Sequence, residues 1–324
     1  MKIYNNLKDI TAPFADSFVT IGNFDGVHLG HHMLFSEVVS RAYQKQGTSV
    51  IITFDPHPLQ VIRPDIGIKL ISTYEQKVEL ISLAGIDVLV VIPFTSDFAT
   101  TSAETFVDKV LIRTIGVKEL VVGYDYAFGK GRQGNIEFLQ EQGRLKGFPV
   151  TVVEPYYVDD MLVSSSKIRE LVSEGRMMDV KKLLGRNYQI RGTVQEGKKR
   201  GGPVVGFKTA NLNLSEEDLC PRHGVYVTQV VYDGKCYGGV LNIGYNPTFG
   251  ENKLSAETHI FDFNQDIYGR KIKINLLKYL RGEKKFSGPE ELAEQIHHDI
   301  RQAKEILAEA QKELLLSCEE KYNR

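Results

Sequence analysis

Cysteine is scarce in this chain: there are three, Cys220, Cys236 and Cys318, an odd number with no CxxC spacing. That argues against a disulfide framework and against a cysteine-based zinc site. Long apolar runs are missing too, and none approaches the ~18 residues of a membrane span. The opening stretch, MKIYNNLKDITAPF, lacks the apolar centre of a secretory leader. An excess of either charge is also absent, with 40 basic against 41 acidic side chains. This removes the electrostatic case for nucleic acid or a membrane surface as partner. The sequon at Asn213 carries no weight without a leader. The expected compartment is the cytoplasm and the expected partners are small molecules; nothing in the sequence sets an oligomeric state.

What is present is ordinary globular composition, 42% hydrophobic and 25% charged over 324 residues, enough for about two domains. From Phe18 to Val158 strand-like apolar runs at 18–21, 49–54, 87–92, 119–122 and 149–153 alternate with helical patterns at 31–46, 73–84, 102–115 and 135–143. Buried Val and Ile runs between amphipathic helices predict βαβ units and a parallel sheet covered on both faces. SSSKIRELVSEGRMMDVKKLL (164–184) reads as two short helices parted by Gly175. After about Gly185 short strands follow at 188–195, 210–214, 224–232, 236–243, 256–263 and 271–280. They predict an antiparallel β barrel. One amphipathic helix closes the chain from Pro289. The fold class is therefore α/β, a parallel sheet followed by an antiparallel barrel with a C-terminal helix, and the domains are 1–185 and 186–324.

The stretch Gly22 to His31, GNFDGVHLGH, follows the first strand and leads into the first helix. Such a turn brings unpaired backbone N–H groups and a positive dipole end to one point, which suits a phosphate. His28 and His31 share a face of the first helical turn, and Gly30 lets a ligand approach the backbone. Two imidazoles there can donate to phosphate oxygens whose charge shifts during transfer, whereas His32 falls on the solvent side. Two more loops leave strands at the same edge. TFDPHP (53–58) has two prolines that stiffen it, with an Asp and a His that can hydrogen-bond, and GYDYAFGKGRQG (123–134) offers aromatic and basic residues to a flat ring and a phosphate. Ser164, Ser165, Lys167 and Arg169 put hydroxyls and two cations at another helix start, either a capped, solvated helix or a phosphate clamp. In the barrel, Thr209 and Asn211 face one side of a strand and suit either a local hydrogen bond or a Mg²⁺–nucleotide site. Glu257 alternates with His259 on a later strand.

These motifs, in order and spacing, resemble the bacterial bifunctional riboflavin kinase/FAD synthetases. GNFDGVHLGH, TFDPHP, GYDYAFGKGRQG and SSSKIR are similar to the adenylyltransferase module. GFKTANL, NIGYNPTF, AETHIFDF with DIYG, and LRGEKKF are similar to the riboflavin kinase module. The resemblance implies a Rossmann-like nucleotidyltransferase sheet that moves AMP from ATP to FMN, and a barrel that moves the γ-phosphoryl of ATP to riboflavin, with Mg²⁺. It implies catalytic roles for His28, His31, Arg169 and Glu257, the last as base towards riboflavin's hydroxyl. ATP and phosphate contacts fall to Gly22, Asn23, Phe24, Asp25, Gly30, Ser164, Ser165, Lys167 and Thr209. Flavin contacts fall to Asp55, Pro56, His57, Pro58, Asp125, Phe128 and Arg281, and metal contacts to Thr209 and Asn211. Two positions depart from the family pattern: Lys208 stands where proline is usual, which frees the backbone N–H, and Ser166 replaces the commoner threonine.

Three rival readings follow. Gly129, Gly131 and Gly134 spell GxGxxG, with Glu154 about twenty residues on, as in a nicotinamide or flavin oxidoreductase; but six residues part Val122 from Gly129, so the glycines do not open from the strand. No Walker A loop is spelled, because Gly131 follows Lys130. An FAD synthetase with a weak or inactive kinase-like barrel, and a non-catalytic flavin-binding protein, are the other two.

Overall fold

The computed structural model describes residues 1–195, 209–245 and 254–322, with side chains to residue 310. The segments around Lys208 and the turn NPTFG fall outside it. Six parallel strands come first: β1 Lys2–Tyr4, β2 Ser17–Ile21, β3 Thr48–Asp55, β4 Val88–Pro93, β5 Val117–Gly123 and β6 Val150–Val153. They lie in the order β1-β4-β3-β2-β5-β6. β2 is buried at every position, as the centre of a sheet covered on both faces must be.

Alternation along the strands divides the core in two. Val19, Ile21, Val50, Ile52, Val90, Leu120 and Val122 pack with Phe106, Val107, Val110, Leu111 and Leu139 on one face. Phe18, Ile51, Leu89, Val91 and Val121 pack with Leu34, Phe35, Val38 and Ile81 on the other. The helices on these faces are α1 Leu29–Lys45, α3 Tyr74–Leu83, α5 Ala103–Thr105 continuing as a π-helix Phe106–Ile115, and α6 Ile136–Lys146; the short α2 Pro58–Ile62 and α4 Ser96–Ala99 lie in the connections. The hairpin β7 Tyr157–Val158 and β8 Met161–Leu162 precedes α7 Ser165–Glu174 and α8 Met177–Leu184.

From Tyr188 the period changes and so does the architecture. β9 Tyr188–Gln195, β10 Ala210–Asn213, β11 Gly224–Tyr232, β12 Lys235–Tyr245, β13 Leu254–Ile260 and β14 Lys271–Arg281 close into an antiparallel barrel in the order β10-β13-β12-β11-β14-β9. The final helix, α9 Pro289–Tyr322, places Ala303, Ile300, Ile306 and Leu307 on Val225, Val227, Val240 and Phe261 of the barrel's outer face. By contacts the chain divides into two units, Met1–Lys167 and Ile168–Arg324. No helix among the described residues is long and apolar enough to cross a membrane.

Candidate active sites

In the sheet unit, β2 has β3 on one side and β5 on the other, so the chain order reverses beside the carboxyl end of β2. Open α/β sheets bind ligands at such a reversal, and GNFDGVHLGH begins there. The turn holds strained backbone: Phe24 has φ 49° and Val27 φ 40°, with Gly26 at 82°. A β-branched residue at positive φ is costly, about 1–3 kcal/mol, and such strain concentrates at functional sites. Gly26 is required twice, since a Cβ would also stand 2.8 Å from Ile71.

The two histidines cap α1 reciprocally. Nδ1 of His28 accepts from the His31 N–H and Nδ1 of His31 from the His28 N–H, each at 3.3 Å. Their rings stack with centroids 3.5 Å apart, and the edge of Phe24 braces His31. A ring that accepts at Nδ1 carries its proton on Nε2. Both imidazoles are thus set as Nε2–H donors at a helix N-terminus, with His28 buried. His32, expected on the solvent side, is half-buried with its ring against Phe35.

The other residues of this edge have distinct partners. The Asp25 carboxylate is buried and accepts from the N–H groups of Ile71 and Ser72 at 3.1 and 3.2 Å, so it fastens the turn to the start of α3. Ser165 Oγ donates to the Asp25 carbonyl (3.0 Å), and Ser164 Oγ caps α7 through the Lys167 N–H (3.2 Å). Ser165 thus ties the start of α7 to the first turn; Lys167 follows two residues on, and Arg169 two residues after that. Asn23 is exposed, Gly22 lies under the Phe24 ring, and Gly30 packs on His28 with the Val163 carbonyl behind it.

The TFDPHP loop carries a cis peptide at Asp55-Pro56. Asp55 and Pro56 are exposed and Pro58 is half-buried. His57 is buried and caps α2, its Nδ1 accepting from the Leu59 N–H (3.2 Å). Beyond β5, Asp125 is exposed and Phe128 lies within an aromatic chain of Phe106, Tyr126 and Phe138. The Tyr126 hydroxyl is buried without a partner among the described residues. Gly129 has positive φ with Ala103 pressed against it, and a Cβ on Gly134 would overlap the Phe128 ring. These glycines shape an aromatic loop around a single turn, Lys130–Arg132. They do not form a strand-to-helix dinucleotide turn.

In the barrel unit the strand register assembles a second candidate site. Asn211 on β10 pairs with Glu257 on β13, Glu257 with Asn242 on β12, Asn242 with Val225 on β11, and Val225 with Arg281 on β14. Paired residues of neighbouring strands share a face. Ala256 and Thr258 are buried on either side of the half-buried Glu257, so this row lies on the outer face. α9 covers its far end, where both carboxylate oxygens of the buried Asp299 accept from Arg281 (2.7–3.1 Å). Burial raises the Glu257 carboxyl above its ordinary range, which suits a base. Thr209 is exposed just before β10. Among the described residues no three His, Cys, Asp or Glu cluster as a metal site. The hydroxyl of Thr209 and the amide oxygen of Asn211 are hard oxygen donors that fit Mg²⁺ shared with phosphates and water.

Sequence reasoning missed two residues here. Asn242 was quoted only within a turn motif, and its place beside Glu257 depends on a register that no single strand reveals. Lys77 reads as part of an amphipathic helix, yet it is buried between the Asn23 carbonyl of the first loop and the Phe54 carbonyl at the end of β3.

Comparison with known proteins follows the same division. Residues 11–167 match the FAD synthetase family model and residues 184–307 the riboflavin kinase model. The bifunctional riboflavin kinase/FMN adenylyltransferase of Bacillus subtilis is 39% identical over 89% of this chain and 92% of its own length. That of Escherichia coli K12 is 32% identical over 94% and 98%. A crystal structure described as a macrolide-efflux protein from Streptococcus pneumoniae superposes with a TM-score of 0.83 and 31% identity, covering 93% of this chain and 98% of that one. With both modules matched in order, and relatives aligned over nearly their whole length, the chain belongs to the bifunctional riboflavin kinase/FMN adenylyltransferase family.

Proposed function

We propose that the sheet unit transfers AMP from ATP to FMN at the His28–His31 turn, and that the barrel phosphorylates riboflavin at the Glu257 row. The observation that carries the first assignment is the pair of stacked, reciprocally capping imidazoles at the switch point of the sheet. In adenylylation an FMN phosphate oxygen attacks the α-phosphorus, the bond to pyrophosphate breaks, and pyrophosphate leaves. That phosphate has its second ionisation near pH ~6, so no general base is needed. The chain contributes placement and charge stabilisation instead. His28 and His31 donate to the α-phosphate through Nε2, and Lys167 and Arg169 of α7 meet phosphate charge. Gly22, Asn23, Phe24, Gly30, Ser164 and Ser165 shape the backbone around it, while Asp25 acts through Ile71 and Ser72. Asp55, Pro56, His57, Pro58, Asp125 and Phe128 form the flavin side.

In the kinase step riboflavin's primary hydroxyl attacks the γ-phosphorus while Glu257 takes its proton and ADP departs. Thr209 and Asn211 are the residues that would hold Mg²⁺. When bound, the ion would neutralise charge on the transferring phosphates. Arg281 belongs to the flavin side of this row, where its donors are largely committed to Asp299, so it offers position and packing. We place the functional boundary at 185/186. The chain is assigned to the cytoplasm, an assignment supported by the free Cys220 and Cys236, and its partners are small molecules.

Incubation with ATP, Mg²⁺ and either riboflavin or FMN, with flavins resolved by chromatography, tests both assignments. FMN from riboflavin and FAD from FMN are expected. FAD without FMN formation would select an adenylyltransferase with a silent barrel, and neither product would leave a flavin binder.

A further inference from the structure

Lys77 is on the second turn of α3, a position where an amphipathic surface helix normally exposes a lysine. Here it is 8% exposed. Its Nζ donates to the Phe54 carbonyl at 3.1 Å and to the Asn23 carbonyl at 3.4 Å. Asn23 lies in the loop after β2, and Phe54 is the penultimate residue of β3, immediately ahead of the TFDPHP loop's cis peptide. The same Asn23 carbonyl also accepts from Thr53 Oγ1 (3.2 Å). Burial pulls the Lys77 amine down and the carboxylates of Asp55 and Asp25 oppose this. A buried lysine is costly unless it is compensated, and α3 is already clasped to the first turn by Asp25. A lysine whose only task was to hold the helix would not need to reach two carbonyls, one in the loop after β2 and one at the end of β3.

We propose that Lys77 is a positioning residue for adenylyl transfer, setting the spacing between the loop that takes the nucleotide and the loop that takes the flavin. The inference rests on the assignment of those two loops given above. Each loop keeps its own contacts to its own ligand, so loss of Lys77 should spare binding and impair the reaction between the two. Misplacement of reacting groups by about 1 Å can lower a rate ~100-fold.

The test is Lys77→Met in the full chain, which keeps the apolar stem and removes all three donors. The expected result is a 10- to 100-fold fall in the single-turnover rate of FAD formation from FMN, with ATP and FMN affinities, measured separately, within about threefold of the parent. Riboflavin phosphorylation by the same preparation should be unchanged and reports an intact second unit. A second cycle adds Thr53→Val, which removes the other donor to the Asn23 carbonyl. If Lys77 acts by fixing that carbonyl, the two substitutions combine non-additively on the rate. Lys77→Gln removes the charge, keeps two of the three N–H donors, and replaces Met if that variant does not fold. A parental rate in Lys77→Met would overturn the proposal, as would a change confined to the affinity of one substrate. His28→Ala, run alongside, separates the two claims: if it too leaves FAD synthesis intact, the loop assignment has failed and not the role of Lys77 alone.

Discussion

Replacement of His28 separates what its ring does for the fold from what it does for the reaction. In the structure Nδ1 caps α1, which puts the ring proton on Nε2 as the donor. His28→Ala removes both. Loss of a side-chain N-cap costs about 1 kcal/mol, equivalent to roughly 2–4 °C in Tm for a unit of this size. Loss of one donor to a phosphate in the transition state should slow FAD synthesis by about 10²–10³. His28→Asn distinguishes these effects, because its amide oxygen lies near the position of Nδ1 and nothing replaces Nε2. Its Tm should return to within a degree or so of the parent while its rate stays with that of the alanine variant. The assay is initial-rate FAD formation from FMN and ATP, with riboflavin phosphorylation as the internal control and thermal unfolding beside it. A His28→Asn enzyme that makes FAD at the parental rate would show that the ring only caps a helix, and the donor argument would fall.

Glu257→Gln should abolish riboflavin phosphorylation and leave adenylyl transfer intact. Because burial raises this carboxyl, the base is protonated and inactive over a pH range extending above that of an ordinary carboxylate, so the acid limb of the kinase pH–rate profile should lie correspondingly high. A limb at the usual carboxylate position would contradict that. Gly134→Ala should drive the Phe128 ring out of place and raise KM for FMN several-fold with little change in KM for ATP, as read by steady-state kinetics. Asp299→Ala strands the Arg281 guanidinium beside a buried face and should destabilise the barrel unit by about 3–5 kcal/mol. The double variant with Arg281→Met should recover part of that loss in denaturant unfolding, and simple additivity would refute the pairing.

The parts legible in the sequence were those written in short-range pattern. The strands of both units stand within a few residues of where periodicity places them, because each is a continuous or alternating apolar run between turn residues, and β9 and β11 have the expected ends. β1 was not legible: three partly exposed residues carry no period. Nor was the π hydrogen bonding of Phe106–Ile115, since its apolar spacing reads simply as a helix. At the sites, the His28–His31 spacing signalled a shared face, but the reciprocal capping that fixes both tautomers depends on backbone angles no motif encodes. Asp25 sits within the same motif, yet its carboxylate turns away to Ile71 and Ser72, a contact spanning 46 residues of chain. Lys77 and Asn242 were invisible for the same reason. Each matters through elements distant in sequence, and a lysine on a helix or an asparagine near a turn has a commonplace explanation.

Of the six staves of the barrel, β10 is the shortest described, four residues long, and among the described residues it pairs with β9 at Asn211 with Gln195 and Leu212 with Val194. That stave carries Asn211, the partner of Glu257 on β13. A nucleotide bound at Asn211, as proposed above, would add its binding free energy to the stability of the whole cylinder, by RT ln(1 + [L]/Kd).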